Sequence, residues 1–229
     1  MDSLQDRVDI VFLFDCDNTL LDNDRVHDDL DSHLRDIFGA AEAARYWRDF
    51  ESLRTALGYA DYLGAVQRFR LGRQQDPSVL QLSGYLLDYP FADRLYPGAL
   101  EAVKHCRRWG TTVILSDGDA VFQPRKLERS GIRDAVEGRV LIYVHKELML
   151  DEVARLFPAR RYVMVDDKLR LLAAMKSVLA DRLFTVFPRQ GHYATDAAGN
   201  AGLPPADLDI EHIADLATYD FGTLTGVTR

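Results

Sequence analysis

Residues 8–14, VDIVFLF, form an almost unbroken β-branched and aromatic run that stops abruptly at Asp15. A run of that length, apolar at consecutive positions, reads as a strand covered on both faces, as in a parallel sheet. Similar runs recur at Thr111–Leu115, Val140–Val144, Tyr162–Val165 and Leu183–Phe187. Helical patterns separate them. Residues 98–109 begin after Pro97 and stop at Gly110, 119–130 end at Gly131, 146–157 stop before Pro158, and 167–180 carry Leu169, Leu172, Ala173 and Met175 in amphipathic order. Strands alternating with helices build right-handed βαβ units, so the expected fold class is α/β, a doubly wound parallel sheet. Residues 188–206, rich in Pro, Gly, Ala and Asn, read as a loop, and residues 207–216 as a short edge strand followed by a last helix.

One stretch breaks the alternation. Residues 21–93 hold no convincing strand and read as four helices, about 25–38, 41–56, 59–72 and 78–87, interspersed with Tyr46, Trp47, Phe50, Tyr59, Tyr62 and Phe69. The expected division is therefore an α/β core made of residues 1–20 and 94–229, with a smaller all-helical cap domain of residues 21–93. The simpler alternative is that these helices cover one face of the sheet.

A chain of 229 residues can bury one sizeable core plus a smaller insert. Its net charge of −8 opposes phosphate backbones, which argues against nucleic acid as a partner. A small anionic substrate remains compatible, because a bound cation and a few donors reverse the sign inside a single pocket. No apolar run approaches the roughly 18 residues of a membrane span, and the polar start MDSLQDRVD does not read as a leader. Two cysteines, Cys16 and Cys106, define neither a disulfide framework nor a zinc site, which points to a reducing, cytoplasmic compartment.

Ligands of open α/β sheets bind at the carboxyl ends of the strands. After the first run come Asp15, Asp17 and Thr19; after the second, Ser116, Asp117 and Gly118; after the third, His145 and Lys146; after the fourth, Asp166 and Asp167. The pattern thus gathers carboxylates, a hydroxyl and an ammonium at one sheet edge. Two like charges 4 Å apart repel by roughly 4 kcal/mol at an effective dielectric of 20, so such a cluster requires a cation. All-oxygen ligands select a hard one, and Mg2+, which keeps part of its shell for water and substrate phosphate, suits the set.

Together these residues resemble the signatures of the haloacid dehalogenase superfamily. FDCDNTL at 14–20 is similar to its first motif, Asp-x-Asp-x-Thr after an apolar strand; Ser116 resembles the second, Lys146 the third, and VMVDDK at 163–168 the fourth. LYPGALEAV at 95–103 looks like the re-entry into a Rossmann-like core after a helical cap. The resemblance implies a phosphatase that forms an aspartyl phosphate on Asp15, with Asp17 as general acid and then base. It implies that Thr19 orients the loop, and that Ser116, Lys146 and the backbone around Asp117 and Gly118 hold phosphoryl oxygens. Mg2+ would be bound by Asp15, Asp166, the backbone carbonyl of Asp17 and, through water or a second layer, Asp167. The implied partner is a small phosphorylated metabolite, with oligomeric state undetermined. Dehalogenases of the superfamily attack carbon without metal and lack the aspartate at position 17, so Asp17 favours phosphoryl transfer. A phosphomutase, or a non-catalytic binding protein on this fold, is the alternative. Asp117 departs from the family pattern, where Asn or Gly is common, and sets an extra negative charge beside the phosphate pocket unless it is paired or turned away.

Other residues have plainer readings. Alternation along an extended segment turns Cys16 away from Asp15 and Asp17, as a small buried apolar residue. Lys126 and Lys168 are alternative cations. His192 is read as a plain loop residue, with lining of the site as the alternative, and Arg45, Arg48, Arg68, Arg70 and Arg73 as mostly solvated, with one or two free to meet an acidic substrate group. His27 and His33, six apart, do not share a helical face.

Overall fold

The computed structural model describes residues 8–225. The polar start of the chain before Val8 lies outside them. Six strands form one sheet: β1 (Val8–Phe14), β2 (Thr111–Asp117), β3 (Val140–Tyr143), β4 (Ala159–Val165), β5 (Leu183–Pro188) and β6 (Leu208–Ile210). Their order is β3-β2-β1-β4-β5-β6 and every pairing is parallel. β1 therefore lies between β2 and β4, with Phe14 level with Ile114 on one side and Val165 on the other. That register brings the ends of β1, β2 and β4 to one edge.

Side chains of β1 alternate between two cores, as the two-residue period of a strand requires. Ile10, Phe12 and Phe14 join Ile114, Val163 and Val165 on one face. Val11 and Leu13 join Val113, Leu115, Tyr162 and Met164 on the other. This two-sided burial is what made the run continuous in the sequence.

Between β1 and the return to the sheet lie α1 (Asn23–Phe38), α2 (Ala40–Leu57), α3 (Tyr62–Phe69) and α4 (Pro77–Asp88). Local chemistry starts three of them. Asp22 accepts from the Arg25 N–H, Asp61 from the Gly64 N–H, and Asp76 from the Ser78 N–H ahead of Pro77, each satisfying an amide that lacks an intrahelical partner. The two connecting segments run side by side: Leu21 bridges Leu95 antiparallel, the Asp22 N–H donates to Arg94 O at 2.7 Å, and the Tyr96 N–H to Leu20 O at 3.0 Å. The insert's apolar side belongs to the same core as one sheet face, joined through Phe122, whose ring centroid lies 5.1 Å from Tyr62 and 5.7 Å from Phe91.

The remaining α-helices of the described residues are α5 (Ala99–Cys106), α6 (Phe122–Arg129), α7 (Ile132–Ala135), α8 (Leu150–Leu156), α9 (Leu169–Leu179), α10 (Gly191–Thr195) and α11 (Gly222–Thr225). The expected helix at 146–157 divides into a 3-10 turn at Lys146–Leu148 and α8. The expected loop at 188–206 contains α10, which approaches the first loop closely: a Cβ on Gly191, whose φ is +73°, would meet Asn18 Cβ at 2.5 Å. Among the described residues, no helix is long and apolar enough to cross a membrane.

Candidate active site

The loop after β1 turns back through Asn18, whose φ of +60° is a left-handed conformation that asparagine tolerates. Its side chain stabilises the turn, Oδ1 accepting the N–H groups of Asn23 at 2.9 Å and Asp24 at 3.1 Å. Between Asp15 and Asp17, Cys16 is buried, and its thiol pKa is raised well above the ordinary value, first by burial and then by Asp17. Cys16 has no route to nucleophilic chemistry.

Asp15, Asp166 and Asp167 are all buried, and one ligand oxygen from each lies within 4.8 Å of the others. Lys146, wholly buried, is 2.5 Å from Asp15 Oδ1 and 2.6 Å from Asp166 Oδ2. Burial works against its charge, but Asp15, Asp166 and Asp117 outweigh that and hold the ammonium above the usual lysine range. Asp166 Oδ1 accepts the Lys168 N–H at 2.8 Å, and Thr19 Oγ1 accepts the Asp167 N–H at 3.1 Å, fixing the turn that aims both acids. Asp15 Oδ2 and both carboxylate oxygens of Asp167 are buried without a hydrogen-bond partner. Buried carboxylate oxygens are costly unless paired or coordinated. Burial, and then the neighbouring Asp166, push the Asp167 carboxyl well above the ordinary range. Three converging carboxylates with orphaned oxygens fit a hard divalent cation.

Ser116 ends β2, buried, with its Oγ accepting from Gln123 Nε2 at 3.0 Å. Gly118 packs directly on that glutamine, where an added Cβ would meet Gln123 Cβ and Cγ at 2.9 Å. Asp117 is tied down: its Oδ1 accepts the Lys146 N–H at 2.8 Å, and burial first, opposed by Lys146, leaves its pKa pushed up to about 6. The extra charge expected at this position is thus turned into the start of the Lys146 turn.

Asp17 stands apart from the three clustered carboxylates. Lys126, 1% exposed, places its Nζ 2.6 Å from Asp17 Oδ1 and 3.0 Å from Asn23 Oδ1. Sequence reasoning named Lys126 only as an alternative cation and missed Gln123. The signal was present in α6, where polar Gln123 and Lys126, three apart, share the buried face with Phe122 and Leu127. Lys168 also faces the acidic cluster: burial works against its charge, but Asp15, Asp167 and Asp166 hold it above the usual range, and its Nζ lies 4.9 Å from the Tyr193 ring centroid.

A cavity of about 480 Å³ is walled by Asp17, Asn18, Asp117 and Lys168 from the sheet side and by Asp24, Phe50, Arg54 and Tyr62 from the insert. His192 also lines it, the alternative of its two readings: its Nδ1 is 2.6 Å from Asp24 Oδ1, and its N–H donates to Asp24 Oδ2 at 2.9 Å. Of the arginines expected to be solvated, Arg45 donates to Leu71 O and Arg73 pairs with Glu42, both away from the cavity. Arg54, named in neither group, reaches the wall.

The parallel sheet, the acids at its carboxyl edge and the helical insert define an architecture that can be compared with known proteins. The family model of haloacid dehalogenase-like hydrolases matches residues 11–178. This chain belongs to that family. A haloacid dehalogenase-like hydrolase from Burkholderia xenovorans is 64% identical, with a TM-score of 0.87 over 93% of this chain and 99% of that one. A haloacid dehalogenase-like family hydrolase from Xanthomonas campestris shares the fold at 16% identity, with a TM-score of 0.64 over 93% and 90% of the two chains. So does the L-2-haloacid dehalogenase from Xanthobacter autotrophicus, solved with chloropropionic acid covalently bound, at 16% identity and a TM-score of 0.55 over 92% and 97%. No curated protein was matched. The chain is accordingly a hydrolase of the haloacid dehalogenase-like family, and the reaction it catalyses is a separate question from its membership.

Proposed function

We propose that this hydrolase is a Mg2+-dependent phosphomonoesterase acting on a small phosphorylated metabolite, with the helices of residues 21–93 serving as its cap. The observation that carries the reading is the position of Asp17: a second carboxylate two residues after Asp15, held apart from the buried acidic cluster and 28% exposed toward the cavity. A reaction that needs only a carboxylate nucleophile has no use for it. One that protonates a leaving oxygen and then activates water does.

Asp15 attacks phosphorus, forming an Oδ–P bond as the P–O bond to the leaving alcohol breaks. The departing oxygen takes the proton of the Asp17 carboxyl. Water then attacks the aspartyl phosphate, Asp17 accepts its proton, and Asp15 leaves as a carboxylate. Asp15, Asp166 and Asp167 would hold the cation, which supplies charge neutralisation for the phosphoryl oxygens. Lys146 and Ser116 would donate to the remaining phosphoryl oxygens, helped by backbone N–H groups around Gly118. The cavity walls contributed by the insert would exclude water and select the leaving group. Two unpaired, buried cysteines suit a reducing, cytoplasmic compartment.

The test is hydrolysis of p-nitrophenyl phosphate, beside halide release from 2-chloropropionate, each with Mg2+ and with a chelator. The expected result is Mg2+-dependent phosphate release, lost in Asp15→Asn, with no chloride. Chloride release that survives the chelator would replace this reading with a dehalogenase.

A further inference from the structure

Lys126 is a buried charge near the cavity that the reaction above does not use. It projects from α6, not from a strand end. Its Nζ meets Asp17 Oδ1 at 2.6 Å and Asn23 Oδ1 at 3.0 Å, and lies 5.4 Å from the Phe122 ring centroid. Burial alone would favour loss of its proton, but Asp17 and other neighbours outweigh this and keep it protonated. A buried ammonium is costly to maintain unless paired and hydrogen-bonded.

The pair is lopsided. Lys126 is 1% exposed, whereas the Asp17 side chain is 28% exposed. One Asp17 oxygen is pinned from below by a short ion pair. The other accepts from Gln123 Nε2 at 3.4 Å, a long contact, and Asp17 lines the cavity. A pair serving stability alone has no need to leave its acid half open. This arrangement fixes the direction of a carboxylate while leaving one oxygen available. The second anchor, Asn23, is the first residue of α1, so the same ammonium ties Asp17 to the start of the insert.

We propose that Lys126 is a positioning residue that aims the free oxygen of Asp17 at the leaving oxygen and at the incoming water. The inference rests on the phosphomonoesterase reading. In the first step, the proton on Asp17 passes to the departing oxygen while Lys126 stays protonated and holds the resulting carboxylate. In the second, the same oxygen takes a proton from water.

The test compares p-nitrophenyl phosphate with phenyl phosphate, similar in shape but with a poorer leaving group in the second. Proton donation matters more for the poorer one. Lys126→Met is expected to lower kcat roughly tenfold to a hundredfold on phenyl phosphate and less on p-nitrophenyl phosphate, with KM nearly unchanged. Lys126→Arg is expected to restore part of the loss. The double variant Asp17→Asn/Lys126→Met should be no slower than Asp17→Asn alone, because the lysine acts through the aspartate. Equal losses on the two esters of kcat/KM (which reports the step that expels the alcohol), a change in KM alone, or losses that add in the double variant would overturn the proposal. If Lys126→Met gives no cooperative melt, Asn23→Ala decides: a smaller loss with the same leaving-group bias supports it, and unchanged rates overturn it. A wild-type protein inactive on both esters would remove the phosphomonoesterase reading and this inference together. An active wild type slowed by Asp17→Asn but indifferent to Lys126→Met would remove this inference alone.

Discussion

Asp117 accepts the Lys146 N–H at 2.8 Å and is walled in enough that its pKa is pushed up to about 6, from an ordinary 3.8. A carboxyl harder to ionise in the folded chain than in the unfolded one subtracts stability as pH rises through that interval, and the full cost stands above about pH 6. Asp117→Asn keeps an oxygen for the Lys146 N–H and removes the charge. The variant should therefore melt higher than wild type at pH 8, by about 2–4 °C for each kcal/mol recovered, and nearly with it at pH 4. Parallel melting curves at the two pH values check this; a gain at pH 4 as large as at pH 8 would mean that charge is not the cause. At this scale the sequence was legible wherever a residue followed a strand. Asp15, Lys146, Asp166 and Asp167, each at or just beyond a strand end, come together, Thr19 joins them through the Asp167 N–H, and Ser116 ends β2 against Gln123. Lys126 and Gln123 were not legible as partners, because they lie on a helix and reach Asp17 and Ser116 across more than a hundred residues in one case and seven in the other. No local spacing encodes such a contact.

Among the elements, the insert was recognisable as helical from composition and lack of alternation, and its four helices fall close to the expected positions. The small helix α10 was not, since five residues are too few to show a period. Nor did the sequence reveal how closely the insert joins the sheet. That junction is aromatic: Phe122 on α6 meets Tyr62 on α3 and Phe91 before the return segment. Phe122 is 1% exposed, and Phe122→Ala should cost about 3–5 kcal/mol of stability. Because the lost ring links insert and core, protease cleavage within residues 21–93 should accelerate more than cleavage near β5. Urea unfolding and limited proteolysis measure the two effects. Equal acceleration at both places would argue that Phe122 serves the core generally.

For the molecule as a whole, the acidic cluster links ligand binding to stability. A cation bound by the folded chain and not by the unfolded one stabilises by about 2.7 kcal/mol at a hundredfold excess over its dissociation constant. It would relieve a site in which Asp15 and Asp167 carry orphaned oxygens. Mg2+ should therefore raise the melting temperature, a chelator should reverse the gain, and Asp167→Asn should blunt it, all independently of turnover. An unchanged melt across a Mg2+ titration would count against the metal site. The fold class was legible because alternation of strand and helix has few solutions. Strand order was not, because it depends on which side each crossover takes. That order, β3-β2-β1-β4-β5-β6, has a consequence for how the chain is made. β1 is synthesised before either of its partners, Thr111–Ile114 and Ala159–Val165. At about 5–20 residues per second, some 7–30 s pass between β1 and β4. Until β2 emerges this apolar strand has no neighbour, until β4 it has a neighbour on one side alone, and the loop bearing Asp15 and Asp17 lacks its full scaffold. Nascent chains halted before residue 159 should accordingly hold a chaperone at β1 and release it only when longer chains let the sheet close around its centre.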